Sequence, residues 1–176
     1  GVARGQLRHG RVEVEAAQLV GKGGDPAAVV SPWIAAHAGP TLLAVDAPLG
    51  WPAGLGAALA THRAGAQLAG EANQLFRRTT DRVVHERLGK LPLDVGADRI
   101  ARTALAALQM LQRLRDHHGE RIPLAWNVRD IAPLAAIEVY PAGTLTSRGV
   151  TSSGYKLASD RSVREAMLDA LADELV

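Results

Sequence analysis

A chain of 176 residues, 47% of them apolar and 22% charged, can bury one core of ordinary size, which excludes an intrinsically disordered chain. No apolar run approaches the ~20 residues that cross a bilayer, and no charged-then-apolar leader opens the sequence, so a soluble, cytoplasmic protein without a membrane partner is expected. The absence of cysteine excludes disulfides, thiolate metal sites and a thiol nucleophile, so any metal must be held by oxygen or imidazole. A net charge of +2, with arginine far above lysine, is only a slight pointer to anionic partners. Arginine suits bidentate phosphate contacts, but a composition rich in Ala, Gly and Arg also follows from a GC-rich genome.

Residues 2–8 and 11–17 read as two strands around His9-Gly10. Val12 and Val14 alternate with Glu13 and Glu15, the period of a half-exposed strand, and glycine supplies the positive φ of a tight turn. Lys22-Gly23-Gly24-Asp25-Pro26 forms a loop into a helix, with Asp25 as N-cap and Pro26 in the first helical position. That helix should run to about His37 and close at Gly39-Pro40. Residues 41–46, Thr-Leu-Leu-Ala-Val-Asp, match a short strand buried on both faces that ends on a carboxylate. Residues 47–52, Ala-Pro-Leu-Gly-Trp-Pro, break any regular element. Residues 55–76 look helical, and 77–96 are polar with several arginines and no clear period.

The helical signal is strong over 97–118, where Ile100, Ala104, Leu108, Leu111 and Leu114 share one stripe and Gly119 is a natural C-cap. Residues 122–126 suggest a short extended piece. Residues 135–140, Ala-Ala-Ile-Glu-Val-Tyr, are a second buried-type strand that carries Glu138 and stops at Pro141. Ser162-Val163-Arg164-Glu165 has the capping-box pattern. Val163, Met167, Leu171 and Leu175 then give an amphipathic helix to the chain end. With no internal repeat and no linker, the prediction is one α/β domain over residues 1–176. A hairpin is not stable alone, so 2–17 should extend the sheet built by 41–46 and 135–140, whose strands should lie adjacent and parallel.

Asp46 and Glu138 draw attention because charged side chains on buried strands need partners, and ligands of open α/β sheets gather at strand carboxyl ends. Two carboxylates there would suit Mg²⁺ or Mn²⁺, and should face one cleft. The plainer alternative is that Asp46 caps the turn at 47–50 while Glu138 pairs with an arginine. In 77–82, Arg-Arg-Thr-Thr-Asp-Arg, three arginines could clamp phosphates; the alternative is a solvated turn with Asp81 as a local cap. Lys156, after a Ser/Gly loop, could meet an anion. His117 and His118 end a helix, where a cation favours the dipole, and His62 and His85 are isolated. Trp33, Trp51 and Trp126 are scattered and form no stacking platform. No Walker or GxGxxG motif is present.

Taken in order, Val45-Asp46-Ala47-Pro48-Leu49-Gly50, Arg78-Thr79-Thr80-Asp81-Arg82, Ile137-Glu138-Val139-Tyr140-Pro141-Ala142 and Tyr155-Lys156 resemble the domain-of-unknown-function 429 family over about residues 1–170. That family is predicted to consist of nucleases with a ribonuclease H-like fold. The resemblance implies a mixed sheet flanked by helices, with an antiparallel meander first and parallel strands after. It implies Asp46 and Glu138 as acidic, metal-holding and catalytic candidates, with Asp81 a further catalytic candidate. It implies Arg78, Arg82 and Lys156 as substrate contacts.

Against that pattern, the family's opening strand has no counterpart before Gly1, and its last, Asp-bearing helix none after the capping-box helix. The expectation is therefore a domain incomplete at both ends, with residues 2–8 beside a vacant or partner-filled strand position. The leading functional expectation is a Mg²⁺- or Mn²⁺-dependent phosphodiester hydrolase acting on nucleic acid or a small phosphoester. The alternatives are a non-catalytic nucleic-acid or nucleotide binding domain of the same fold, and a partner-binding domain with a dead cleft.

Overall fold

A two-residue turn sets the first element. His9 and Gly10 both have positive φ, 51° and 79°, as in a type I′ turn whose twist matches its flanking strands. The turn joins β1 (Val2–Arg8) to antiparallel β2 (Arg11–Gln18), with Arg8 opposite Arg11. A bulge between Arg4 and Gly5 shifts the register. Gly5 is required there, because a Cβ would stand 2.8 Å from the Glu13 carbonyl oxygen. The computed structural model describes residues 1–131 and 133–174.

Helix α1 (Pro26–Ala35) starts as its sequence predicts, with Asp25 Oδ1 accepting from the Ala27 N–H at 2.9 Å. Strand β3 (Thr41–Val45) then pairs in parallel with β4 (Leu134–Glu138), from Thr41 opposite Leu134 to Val45 opposite Glu138. On the other side of β4, the Ala125 N–H donates to the Ala136 carbonyl and the Ala136 N–H to that of Pro123. The predicted extended piece near 122–126 is therefore present, and β4 is flanked on both sides. Ala135 and Ala136 are accordingly 0% exposed.

Two expectations for the sheet are corrected. The hairpin does not extend the β3–β4 pair: the strands form two separate two-stranded sheets. β1 leans on α1 instead, with the Arg4 guanidinium 5.7 Å from the centre of the Trp33 ring. Nor is β3 buried on both faces: among the described residues no strand lies beside it on the side away from β4. Leu42 and Ala44 are exposed, and the inward residues 41, 43 and 45 only half-buried.

The helices also depart from the sequence pattern. The run 55–76 is two helices, α2 (Ala53–Leu59) and α3 (Ala72–Phe76), parted by a loop in which Gly65 and Gly70 take φ of 82° and 125°. The polar stretch 77–96 holds a full helix, α4 (Thr79–Leu88), closed by Gly89 at φ 63°. α5 (Asp98–His118) is as predicted, with Gly119 at φ 67°. Its stripe residues Ala104, Leu111 and Leu114 are buried. Leu111 and Leu114 join Ala27, Leu134 and Ala136 in the main core, between the helices and the β3–β4 pair.

α6 (Pro141–Ser147) follows β4 directly, and α7 (Arg161–Glu174) closes the described chain. The capping box at 162–165 is not used. α7 begins one residue earlier, Asp160 Oδ2 accepts from the Leu157 N–H at 2.9 Å, and Glu165 pairs with Arg161 at 2.7 Å. Met167 and Val163 pack on Leu145 and Val150 in a second small core; Leu175, the last residue of the predicted stripe, lies outside the described residues. Among those residues no helix is long and apolar enough to cross a membrane.

The core assignment is testable. Leu114→Ala should cost about 2–5 kcal/mol, since the site is fully enclosed. Leu105→Ala, on the exposed side of the same helix, should stay within ~0.5 kcal/mol. Urea denaturation of the two variants against the parent checks both.

A candidate carboxylate–arginine site

The parallel pair ends level at Val45 and Glu138, and its ladder runs one bond further, from the Val139 N–H to the Val45 carbonyl. Here β3 enters the Pro-rich turn and β4 enters α6, so the carboxyl ends of both strands open toward α4. Glu138 uses both oxygens. Its Oε2 accepts from the Leu49 backbone N–H at 2.9 Å and from Arg78 Nη1 at 2.7 Å, and its Oε1 from Arg78 Nη2 at 2.8 Å.

Arg78 stands just before α4, and Asp81 in its first turn. Arg78 Nε donates to Asp81 Oδ2 at 3.0 Å and Nη2 to Oδ1 at 2.6 Å, while its backbone N–H reaches Oδ2 at 2.9 Å. The guanidinium is thus forked onto two carboxylates at once, a geometry its planar donor set allows and an ammonium does not. Side-chain exposure is 12% for Arg78, 3% for Asp81 and 30% for Glu138. Burial acts to lower the arginine's pKa, but the hydrogen bonds and attraction from Glu138 and Asp81 outweigh it and raise it above its ordinary value. The arginine's own contribution to this pairing is therefore present at neutral pH and is lost as the guanidinium deprotonates, far into alkali.

The sequence candidates separate into groups. Arg78, Asp81 and Glu138 come together. Asp46 makes no bond to them: it follows Val45, the residue level with Glu138, and lies exposed at the rim of a groove between β1 and β3. It has no hydrogen-bond or ion-pair partner among the described residues. The expected turn cap at 47–50 exists, but Glu138 supplies it through Leu49. Arg82 projects from α4 and donates to Thr79 Oγ1 at 3.2 Å. It lines a pocket of about 310 Å³ with Asn73, Arg77, His85 and Glu86. Arg77 there is held by Asn73 at 3.2 Å and Asp94 at 3.5 Å. Lys156 is exposed in the loop before α7, its ammonium 6.0 Å from the Tyr155 ring centre.

Sequence reasoning missed the Leu49 N–H, the Asn73–His85 wall and a bond of 3.1 Å between His118 Nε2 and the buried Ser31 hydroxyl. None carries a local pattern, since each depends on residues distant in the chain.

The residues do not fit a pair of divalent ions as they stand. Among the described residues no group of three or more His, Asp and Glu is placed to hold a metal. A cation at Glu138 would have to displace the Arg78 guanidinium from both carboxylate oxygens.

The fold and site define an α/β domain whose parallel strand pair ends on an arginine clamped between two acidic side chains. Over its whole length, residues 1–176, the chain matches the family described as "Protein of unknown function (DUF429)", and it belongs to that family. No curated protein sequence and no solved structure matches it significantly.

Removing the arginine should expose the cost of its partners. Arg78→Met leaves Asp81 buried without a counter-charge and should destabilise by about 3 kcal/mol, the lower end for a broken buried pair because Glu138 is partly solvated. Arg78→Lys should recover less than half of that, since one ammonium cannot fork onto both carboxylates. Adding Asp81→Asn to Arg78→Met should return part of the loss. Equilibrium unfolding of the four proteins decides it.

Proposed function

We propose that this chain is a ribonuclease H-like domain that binds phosphoester anions, in nucleic acid or a nucleotide, at the face carrying Arg82. The observation that carries the reading is the exposed Arg82 guanidinium, bonded only to the Thr79 hydroxyl and bordering a pocket shared with Arg77 and His85. Its remaining donors are free to fork onto a phosphate. Arg78 does not join it, since its donors are committed to Asp81 and Glu138. The ribonuclease H-like architecture is supported by the order of elements, an antiparallel hairpin followed by parallel strands with helices between.

Arg82→Gln should weaken binding of a single-stranded oligonucleotide by about tenfold and lower the salt slope by roughly one, while melting as the parent does. Fluorescence anisotropy over a salt series measures both. Unchanged affinity in the variant would remove this face from the reading.

A second reading, Mg²⁺- or Mn²⁺-dependent phosphodiester hydrolysis, is favoured by Asp46. It is an exposed carboxylate at the carboxyl end of a parallel strand, unspent on any cap or ion pair among the described residues. On this reading Asp46 is the acidic group available to a substrate-bound cation, and Glu138 positions Arg78 and the Leu49 turn. Asp46→Asn should then abolish metal-dependent cleavage of DNA, RNA or small phosphodiesters without lowering the melting temperature. Glu138→Gln should lower stability as well as cleavage. Cleavage at the parent rate in Asp46→Asn would exclude the carboxylate from the chemistry.

A further inference from the structure

The extended piece that flanks β4 on the side away from β3 runs into an exposed tryptophan. Leu124 is level with Ala136, in parallel, and Trp126 lies two residues beyond it, as Glu138 lies two beyond Ala136. Trp126 therefore leaves the sheet at the end where Glu138 closes β4 and Val45, level with Glu138, closes β3. The row crosses two strand spacings, about 10 Å, with Asp46 at one side and Trp126 at the other. Ligands of open α/β sheets gather at this end.

The Trp126 side of the row is 75% exposed, yet its backbone is fixed. Asp130 Oδ2 accepts from the Trp126 N–H at 2.8 Å, from the Asn127 N–H at 3.0 Å and from Asn127 Nδ2 at 2.9 Å. Asn127 Oδ1 accepts in turn from the Arg129 N–H at 2.9 Å, at the start of a single 3-10 turn, Val128–Asp130. The loop spends its carboxylate and its amide on its own backbone and side chains, and so holds the indole outward. Arg129 is exposed as well, and its guanidinium has no hydrogen-bond or ion-pair partner among the described residues. The other tryptophans differ: Trp33 is half-buried and covered by the Arg4 guanidinium, and Trp51 is 42% exposed.

We propose that Trp126 is a stacking platform for one unpaired nucleobase and that Arg129 takes the phosphate of the same nucleotide, which makes the ligand single-stranded nucleic acid. The ligand class rests on the phosphoester binding proposed above; the site does not, since it uses neither Arg82 nor its pocket. Every base has a π-face, so stacking on an indole tolerates any sequence, and a free guanidinium beside it can fork onto a phosphate. Three residues span at most about 11 Å of chain, within reach of one nucleotide. A duplex hides the faces of its bases, so the platform selects unpaired strand. The scatter of three tryptophans along the sequence conceals it, because it consists of one ring and one cation rather than a row of rings.

The test measures fluorescence anisotropy and indole emission of the whole 176-residue chain with three probes: labelled oligothymidylate, an abasic deoxyribose-phosphate strand of the same length, and a duplex. Oligothymidylate should quench the emission of the parent, and the quench should be absent in Trp126→Phe. Trp126→Ala should weaken oligothymidylate by about tenfold and Trp126→Phe by less, with abasic-strand and duplex binding unchanged in both. Arg129→Gln should lower the salt slope by roughly one and keep the quench. All three variants should melt as the parent does, since both side chains are exposed. Unchanged oligothymidylate affinity in Trp126→Ala, an equal loss on the abasic strand, or a quench that persists in Trp126→Phe would overturn the proposal. A parent that binds none of the probes would overturn both readings. Binding that depends on Arg82 but not on Trp126 would remove this platform and leave the Arg82 face standing, and the converse would remove the Arg82 face alone. Self-association that needs Trp126 and no oligonucleotide, seen by sedimentation, would give the ring to a protein interface instead.

Discussion

Arg78 is where three parts of the chain meet. Its guanidinium joins Asp81 in the first turn of α4 to Glu138 at the end of β4, and Glu138 in turn holds the Leu49 N–H of the turn after β3. Without it the two carboxylates would face each other with no counter-charge between them. A buried pair of this kind is weak evidence for net stability, because desolvation offsets much of the attraction. Its consequence is positional: the forked bonds set how α4 docks on the strand ends.

That clamp also decides which acidic groups remain available. Glu138 has both oxygens occupied, and Asp81 is almost wholly enclosed, so neither presents a free face to a ligand. Asp46 is left over, bonded to no described partner. The usual division, in which the residue at the strand end caps its own turn, is inverted: the neighbouring strand caps it, and the strand-end carboxylate is spared. Positive charge is divided in the same manner. Arg78 and Arg77 are held by acidic or amide partners, and Arg82 is the guanidinium of that run left with a single hydroxyl.

The sheets follow a separate constraint. A parallel pair is stable when both faces and both edges are covered, and β4 meets this with β3 on one side and residues 123–125 on the other. β3 does not, and the hairpin turns one edge toward the same groove without closing it. The apolar run Thr41–Val45 is richer than its half-open position requires.

Much of this was readable from local pattern. The hairpin about His9-Gly10, the Asp25-Pro26 helix start, the strand cores at 41–45 and 135–138 and the long α5 stripe all follow from periodicity and turn chemistry, which act within a few residues. The motifs around Asp46, Arg78 and Glu138 also pointed to the family and to the residues worth watching. Tertiary structure decided what those residues do. Glycines at 65 and 70 split a helical run that composition favoured, and α4 formed in a polar stretch whose support comes from the Arg78–Asp81–Glu138 bonds. Ser162 has no cap role because the helix already begins at Arg161, ahead of it. Above all, no local rule could say that Glu138, eighty-nine positions on, would take the Leu49 N–H and leave Asp46 free. Pairing across that distance is set by which strands lie side by side, and side-by-side placement is a property of the packed chain, not of any window of its sequence.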